Sequence, residues 1–283
     1  MPVLLALLSS VLWGTSDFMG GVLARRRPAL AIVGFGMAFG LIAMLVVALL
    51  TRSWSAPLGY LPWSVIASVS GVVGLWAFYT ALSIGTMGIV SPIAATGIMV
   101  PLLGGLLAGD IPTPVQAAGA VLAILGLGFV VAPERRLVDA PGDAQSVHTR
   151  SVVLAGVSAL CFGTSLAAIA QGSLVSAVMT MTVMRACSVV IMIVVALCAR
   201  SLGGINRPDL PVVALIGLFD VAANLTYGLS ASGGALVIAA VLGSLYPVVT
   251  VLLAWRFVHE RMRKIQYLGI ACALLGMMFM SIT

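Results

Sequence analysis

The sequence predicts an all-α integral membrane protein with ten transmembrane helices, arranged as two inverted five-helix repeats. Three observations support this fold class. The 283 residues are 61% apolar and only 8% charged, whereas soluble domains carry about 25% charged residues. Ten apolar runs are long enough to cross a bilayer, which takes roughly 20 residues. A short motif in the first run returns in the sixth.

The composition also excludes several classes of protein. A chain with so few charges could not cover the surface of a soluble enzyme or a soluble nucleic-acid binder. The net charge of +6 is explained by Arg and Lys residues in cytoplasmic loops, without a nucleic-acid partner. The four cysteines lie inside apolar runs and form no CxxC pair, which excludes a disulfide framework and a thiolate metal site.

Charges, prolines and small residues mark the ends of the predicted spans. The first run is expected to be a mature helix and not a secretory signal, because its positive residues, Arg25–Arg27, follow the apolar stretch. The joints at 83–87, 172–174 and 232–234 carry almost no charge, so they rest on length and small residues. The ten predicted spans are 3–24, 29–51, 61–83, 87–108, 112–132, 151–172, 174–199, 209–231, 234–256 and 264–282.

The distribution of positive charge predicts the orientation. With ten spans both termini lie on one face, and eleven of the fourteen Lys and Arg residues fall on the opposite face. Only Arg52 falls on the face of the termini. Because positive residues concentrate in cytoplasmic loops, both termini are expected to be extracytoplasmic. The expected location is the cell's inner (plasma) membrane, crossed many times.

A polar segment divides the chain into two halves. Residues 133–150 are expected to be a cytoplasmic linker between a first repeat at 1–132 and a second at 151–283. Trp13–Ser16 (Trp-Gly-Thr-Ser) matches Phe162–Ser165 (Phe-Gly-Thr-Ser) 149 residues later; chance similarity in glycine-rich sequence is the alternative. Since five is odd, the second repeat must be inverted, an arrangement typical of alternating-access transporters.

A second set of matches lies at the ends of the two halves, at an offset of 150 residues. It pairs Asp110, Gln116, Gly119 and Gly126 with Glu260, Gln266, Gly269 and Gly276. With the Trp-Gly-Thr-Ser stretch and the apolar run from Pro247 to Glu260, these features resemble the EamA-type ten-helix members of the drug/metabolite transporter superfamily. The resemblance covers essentially the whole chain. It implies a secondary transporter, commonly an exporter of amino acids or other metabolites.

Three ionisable residues lie deep inside the predicted spans: Asp17, Arg185 and Asp220. A charged side chain at the centre of a spanning helix costs on the order of 3 kcal/mol, so these side chains should face the bundle interior or water. The functional interpretation is a substrate-binding or proton-carrying set, with Asp220 as the first choice for either role and Asp17 as the second. The alternative is a structural ion pair or a hydrogen-bonded neutral carboxyl.

Aromatic and polar residues repeat at spacings of three and four, which place them on one side of a helix. Apolar walls with a few polar groups suit a small-molecule cavity, although ordinary aromatic packing is the alternative. Tyr246 is a further candidate because the following Pro247 frees a backbone carbonyl and can mark a bend or gate. The candidate substrate-binding residues are Trp13, Asp17, Trp76, Tyr79, Arg185, Asp220, Asn224, Tyr227 and Tyr246.

These observations favour a secondary active transporter, an exporter of small organic metabolites such as amino acids or amphipathic aromatic compounds, working by alternating access. An intramembrane enzyme or lipid-handling protein is the competing class, but it needs a reactive cluster that the motifs do not supply. No catalytic residue, metal or cofactor is expected. The expected partners are the small-molecule substrate, the lipid bilayer and protons as a candidate coupling ion, in a monomer or a homodimer.

Overall fold

Helices make up the fold of the computed structural model, which describes residues 2–100, 113–131, 142–200, 204–230, 243, 245–259 and 264–280. Over these residues no strand occurs, so the all-α class predicted from the sequence is confirmed for them. Short 3₁₀ turns at Ser53–Ser55, Leu58–Tyr60, Thr96–Ile98 and Arg207–Asp209 connect or extend helices. The helices are α1 (Pro2–Ala24), α2 (Ala29–Leu50), α3 (Leu61–Ile84), α4 (Met87–Ala95), α5 (Pro114–Val131), α6 (Gly142–Ala199), α7 (Leu210–Ser230), α8 (Tyr246–Leu253) and α9 (Lys264–Met280).

Several of these helices match the requirements of a bilayer. In the described part of the chain, four helical segments are long and apolar enough to cross a membrane: Ala29–Leu50, Leu58–Ile84, Gln145–Ala199 and Arg207–Ser230. Large apolar side chains such as Leu50 and Leu197 stand at 80% and 73% exposure. Apolar surface of this kind is stable against lipid, because lipid tails are as apolar as the side chains themselves.

Helix α6 contains a break that the sequence analysis placed several residues too early. The predicted joint at 172–174 is helical, and the non-helical backbone lies at Ser176, with φ −163° and ψ 109°. The Ser176 Oγ accepts a hydrogen bond from the Met179 backbone N–H at 3.3 Å. Ser176 therefore caps the helical arm that follows it. A capping hydroxyl, and not a glycine, decides where this helix breaks.

Two other predicted joints have clear outcomes in the described residues. The joint at 83–87 is confirmed, since α3 ends at Ile84 and α4 begins at Met87. The predicted linker is only partly a connection, because its residues 142–150 are helical and continue into the following span. The joint at 232–234, and the matched residues Asp110 and Glu260, lie outside the described residues.

Loops that the charge bias assigns to one face meet in space. Arg27, after α1, forms an ion pair with Asp209, before α7, with Nε and Oδ2 2.7 Å apart. On the same predicted face, the Ser151 hydroxyl donates to the Ala81 carbonyl at 3.3 Å. In the predicted topology, the span ends that these two contacts join lie on the same face of the membrane.

The repeated Gly-Thr-Ser triplet makes the same contact twice. The Ser16 hydroxyl on α1 donates to the Ile216 carbonyl on α7 at 3.1 Å. The Ser165 hydroxyl on α6 donates to the Ala67 carbonyl on α3, also at 3.1 Å. The two donors are 149 residues apart, and so are the two acceptors. Each hydrogen bond thus joins a helix of one half to a helix of the other half, and the serine of the triplet is the donor both times.

An aromatic contact is repeated in the same way. The Trp13 and Tyr227 rings lie 5.7 Å apart between their centroids, and the Phe162 and Phe78 rings lie 5.6 Å apart. These partners are again related by 149 residues. Two contacts that share one offset are what a repeat of 149 residues predicts.

Candidate functional site

A cavity lies in the interior of the bundle, between helices from both halves of the chain. It encloses about 80 Å³ of space for the centres of water molecules, where a single buried water needs roughly 10–15 Å³. The cavity therefore has room for several waters or for a small organic molecule. Its walls come from α1, α2, α3, α4, both arms of α6, α7 and α8.

Most of the residues chosen from the sequence as site candidates line this cavity. They are supplied by four separate parts of the chain, so the tertiary structure brings them together. The lining candidates are Trp13, Asp17, Arg185, Asp220, Asn224, Tyr227 and Tyr246.

Trp76 and Tyr79 are the two candidates that lie elsewhere. Trp76 is 39% exposed on the outside of the bundle, whereas Tyr79 is 1% exposed. Tyr79 lines a second, smaller cavity that also includes Asp220. Residues three apart on a helix still differ by about 60° around its axis. In α3 this angle is enough to turn one ring outward and the other inward.

A buried ion pair joins two of the cavity helices. Arg185, 1% exposed, places Nη2 2.5 Å from Oδ2 of Asp220. Its Nη1 donates to the Met37 sulfur at 2.6 Å. The Asn224 side chain donates to the other oxygen of Asp220 at 3.2 Å. Asp220 therefore has partners for both of its oxygens, as a buried carboxylate requires.

Asp17 has a different environment from Asp220. It is only 6% exposed and lines the cavity, yet no hydrogen bond or ion pair to its side chain is found over the described residues. Asp17 and Asp220 line the same cavity. Asp17 is thus a carboxyl with capacity to bind a donor inside the cavity.

Three aromatic rings form one wall beside these charges. The Trp13 ring contacts Tyr227 and also meets Tyr246 at 6.3 Å with an interplanar angle of 69°. The Tyr246 hydroxyl is buried without a hydrogen-bond partner in the described structure. Buried tyrosine hydroxyls usually find a partner, so this group is available to a ligand.

The apolar wall of the cavity was missed by reasoning from sequence, because apolar residues are unremarkable in a membrane span. The repeat offset of 149 residues could have identified part of this apolar wall. Adding or subtracting 149 takes five candidates to residues that also line the cavity. These five counterparts are Phe162, Leu166, Gly71, Leu75 and Gly97. The remaining missed lining residues are Met37, Ala94, Ala95, Ile98, Ser165, Met184 and Gly243.

The side chains that line the cavity are suited to binding a ligand rather than to catalysing a reaction. In the part of the chain that the structure describes, no three His, Cys, Asp or Glu side chains lie together as ligands for a metal. The chemistry that the cavity can supply is hydrogen bonding, ion pairing and aromatic contact.

Comparison with known proteins identifies the family. The EamA-like transporter family matches the chain over residues 1–132 and again over 149–282. The chain belongs to the EamA-like transporter family. The EamA match covers both halves, which supports the drug/metabolite transporter resemblance seen in the sequence.

A solved crystal structure is similar to this EamA-family chain over almost its full length. The TM-score is 0.67 at 16% sequence identity, and the match covers 98% of this chain and 95% of the other. At this identity the similarity establishes a shared fold alone. No sequence among curated proteins matches the chain.

Proposed function

We propose that this membrane protein is a secondary active transporter that exports small amphipathic organic metabolites by alternating access. The observation that carries the proposal is the cavity, which is built from both halves of the chain and is lined by three ionisable side chains, of which Asp17 and Arg185 are buried. Ionisable residues inside a membrane bundle are costly, so they are retained mainly where they bind a substrate or ion.

The proposed architecture is ten spans in two inverted five-helix repeats, 1–132 and 151–283. The family match in two halves supports it, as do the paired Ser16 and Ser165 hydrogen bonds. Inverted repeats allow one half to rock against the other, which opens a central site first to one face and then to the opposite face. The substrate cavity lies where such a site is expected, between the halves.

In this mechanism the cavity residues divide their roles. Arg185 and Asp220 come from different helices, so their ion pair joins α6 to α7 at the cavity wall. Asp17 and the aromatic wall contact the substrate, and Asp17 is the group that exchanges a proton if transport is proton-coupled. The proposed orientation has both termini outside the cell's inner membrane, following the positive charge of the opposite loops.

The competing classes, an intramembrane enzyme and a lipid-handling protein, need features of other kinds. An enzyme requires a reactive group, and a lipid-handling site requires room for long acyl chains. The enclosed volume and the buried charges favour a small polar-ended solute.

Counterflow in proteoliposomes tests the proposal. Purified protein is reconstituted into vesicles loaded with members of a metabolite panel that includes amino acids, aromatic acids, amines and sugars, and uptake of the labelled compound is measured. We expect saturable counterflow for at least one amphipathic compound. Trp13→Ala should reduce it by about fivefold to thirtyfold, since stacking contacts of this size contribute roughly 1–2 kcal/mol.

Trp76→Ala is the matched control, because it removes the same side chain from the outside of α3. It should leave counterflow near the wild-type rate. Equal losses in both variants, or no counterflow by any compound against protein-free vesicles, would contradict the proposed function.

A further inference from the structure

We infer that the cavity selects amphipathic organic monocations, binding the cationic group between Asp17 and the Trp13–Tyr246 aromatic wall and the apolar body against the Phe162, Leu166 and Gly71 side of the cavity. This inference rests on the proposed transport function, for which it names the substrate class. Four observations carry it: the charge balance of the cavity, the unpaired carboxyl, the aromatic rings and the asymmetry between the repeats.

The charges of the cavity leave one carboxyl without a counter-charge. Arg185 and Asp220 neutralise each other across 2.5 Å, while Asp17 has no partner over the described residues. A charge taken out of water is stable only when an opposite charge compensates it, so Asp17 is stable as a carboxylate when the occupant brings a positive charge. A zwitterion brings a negative charge as well, and that charge has no partner in the cavity while Arg185 is paired with Asp220.

The unpaired carboxyl is positioned to hold that positive charge. Asp17 is 94% buried, being 6% exposed, and its side chain forms part of the cavity wall. Asp220, by contrast, already has a charge partner in Arg185, and Asn224 donates to its other oxygen. The position of Asp17 therefore identifies which of the two carboxyls receives the ligand.

Aromatic rings complete the cationic end. Trp13 and Asp17 are one turn apart on α1, and the Trp13 ring contacts Tyr246. Cations bind to the faces of Trp and Tyr rings, most strongly where water is excluded. The buried Tyr246 hydroxyl has no hydrogen-bond partner in the described structure, so its oxygen is free to accept an N–H from a protonated amine.

The residues related to this cationic end by the repeat offset form an apolar end of the same cavity. The counterparts of Trp13 and Asp17 at an offset of 149 are Phe162 and Leu166, and both line the cavity. The counterpart of Asp220 is Gly71, which also lines it. A charged group at this end has no partner among these residues, whereas an aryl or alkyl group has matching surface.

A series of compounds that differ only in charge tests the inference on the wild-type protein. The probes are 2-phenylethylamine, its trimethylammonium form, phenylalanine and 3-phenylpropionate. Binding is measured as the shift in thermal unfolding of the purified protein, and transport as counterflow. We expect the two monocations to bind at least about tenfold more tightly than phenylalanine, because the zwitterion adds an unpaired buried charge.

Asp17→Asn removes the proposed charge partner and keeps the size of the side chain. It should weaken binding of both monocations by about tenfold or more, as expected for loss of a buried ion pair. Asp209→Asn is the matched control, since Asp209 pairs with Arg27 outside the cavity, and it should leave binding unchanged. Size-exclusion chromatography establishes that each variant is folded before binding is compared.

The results test the inferred substrate class and the proposed transport function separately. Tighter binding of phenylalanine than of the amines, unchanged amine affinity in folded Asp17→Asn, or no binding by any monocation overturns the inference. Counterflow of phenylalanine in those cases leaves the transport function intact. Amine binding that depends on Asp17, without counterflow of any probe, supports the binding site and contradicts the transport function.

Discussion

Removing the charge of Asp220 should destabilise the protein far more than a lost hydrogen bond would. The Asp220→Asn substitution preserves side-chain size but leaves Arg185, which is 1% exposed, without its charge partner. The other described contacts of this guanidinium are weak: Nη1 meets the Met37 sulfur, and Nε is buried with no partner. The arginine is thus held by a single strong interaction.

Two scales give the magnitude of the effect. Hydrogen bonds between membrane helices contribute about 0.6 kcal/mol on average, whereas breaking a buried ion pair by removing one partner costs about 3–5 kcal/mol. Because Arg185 is 1% exposed, the second scale applies, and we expect Asp220→Asn to lower the free energy of unfolding by about 3 kcal/mol.

Equilibrium unfolding in mixed SDS and neutral-detergent micelles, followed by tryptophan fluorescence, measures this change. Asp209→Asn is the comparison, because its ion pair with Arg27 is about a quarter exposed and should contribute no more than about 1 kcal/mol. The double substitution Arg185→Met/Asp220→Asn should recover much of the stability, since it removes the uncompensated charge as well.

Two results would refute this reasoning. One is an Asp220→Asn cost no larger than that of Asp209→Asn. The other is a double variant, with Arg185→Met, that is no more stable than Asp220→Asn alone. Asp17→Asn provides a contrast, because Asp17 has no partner over the described residues and its removal leaves no charge unpaired. Its main expected effect is on ligand binding.

Three further predictions concern a cap, a close helix contact and the orientation. Ser176→Ala should cost about 1 kcal/mol of stability through the lost N-cap, and an unchanged unfolding curve would contradict the capping role. Gly163→Ala should lower the free energy of unfolding by about 1–3 kcal/mol, because its new Cβ meets the backbone of the turn after α4. Gly156→Ala is the control, since its Cβ meets nothing within 4 Å. Equal effects of the two substitutions would contradict this packing. In a background without the four native cysteines, Ser55→Cys should react with an impermeant thiol reagent in intact cells and Gln145→Cys only after permeabilisation; the reverse pattern would invert the orientation.

Local composition was sufficient to predict the membrane class and most helix positions. Apolar runs, charges and prolines act on the segment that contains them, so α1, α2 and α3 begin and end within one or two residues of the predicted bounds. The repeated Gly-Thr-Ser triplet also predicted that positions 149 residues apart are equivalent, and the paired contacts of Ser16 and Ser165 share that offset. The break in α6 lies at Ser176, later than the predicted joint at 172–174, where the Ser176 side chain caps the helical arm that follows.

The roles of the buried charges were decided only by the tertiary structure. From the sequence alone, Asp17 and Asp220 were both buried carboxyls with aromatic neighbours, and Asp220 was preferred for ligand binding. Packing of α6 against α7 brings Arg185 to Asp220 and leaves Asp17 unpaired. Rotation of α3 about its axis likewise turns Trp76 outward. Which charged side chains pair, and which side of a helix is turned inward, depend on how helices far apart in the chain are placed and rotated against one another. The hydrophobic pattern of a single span contains little information about either.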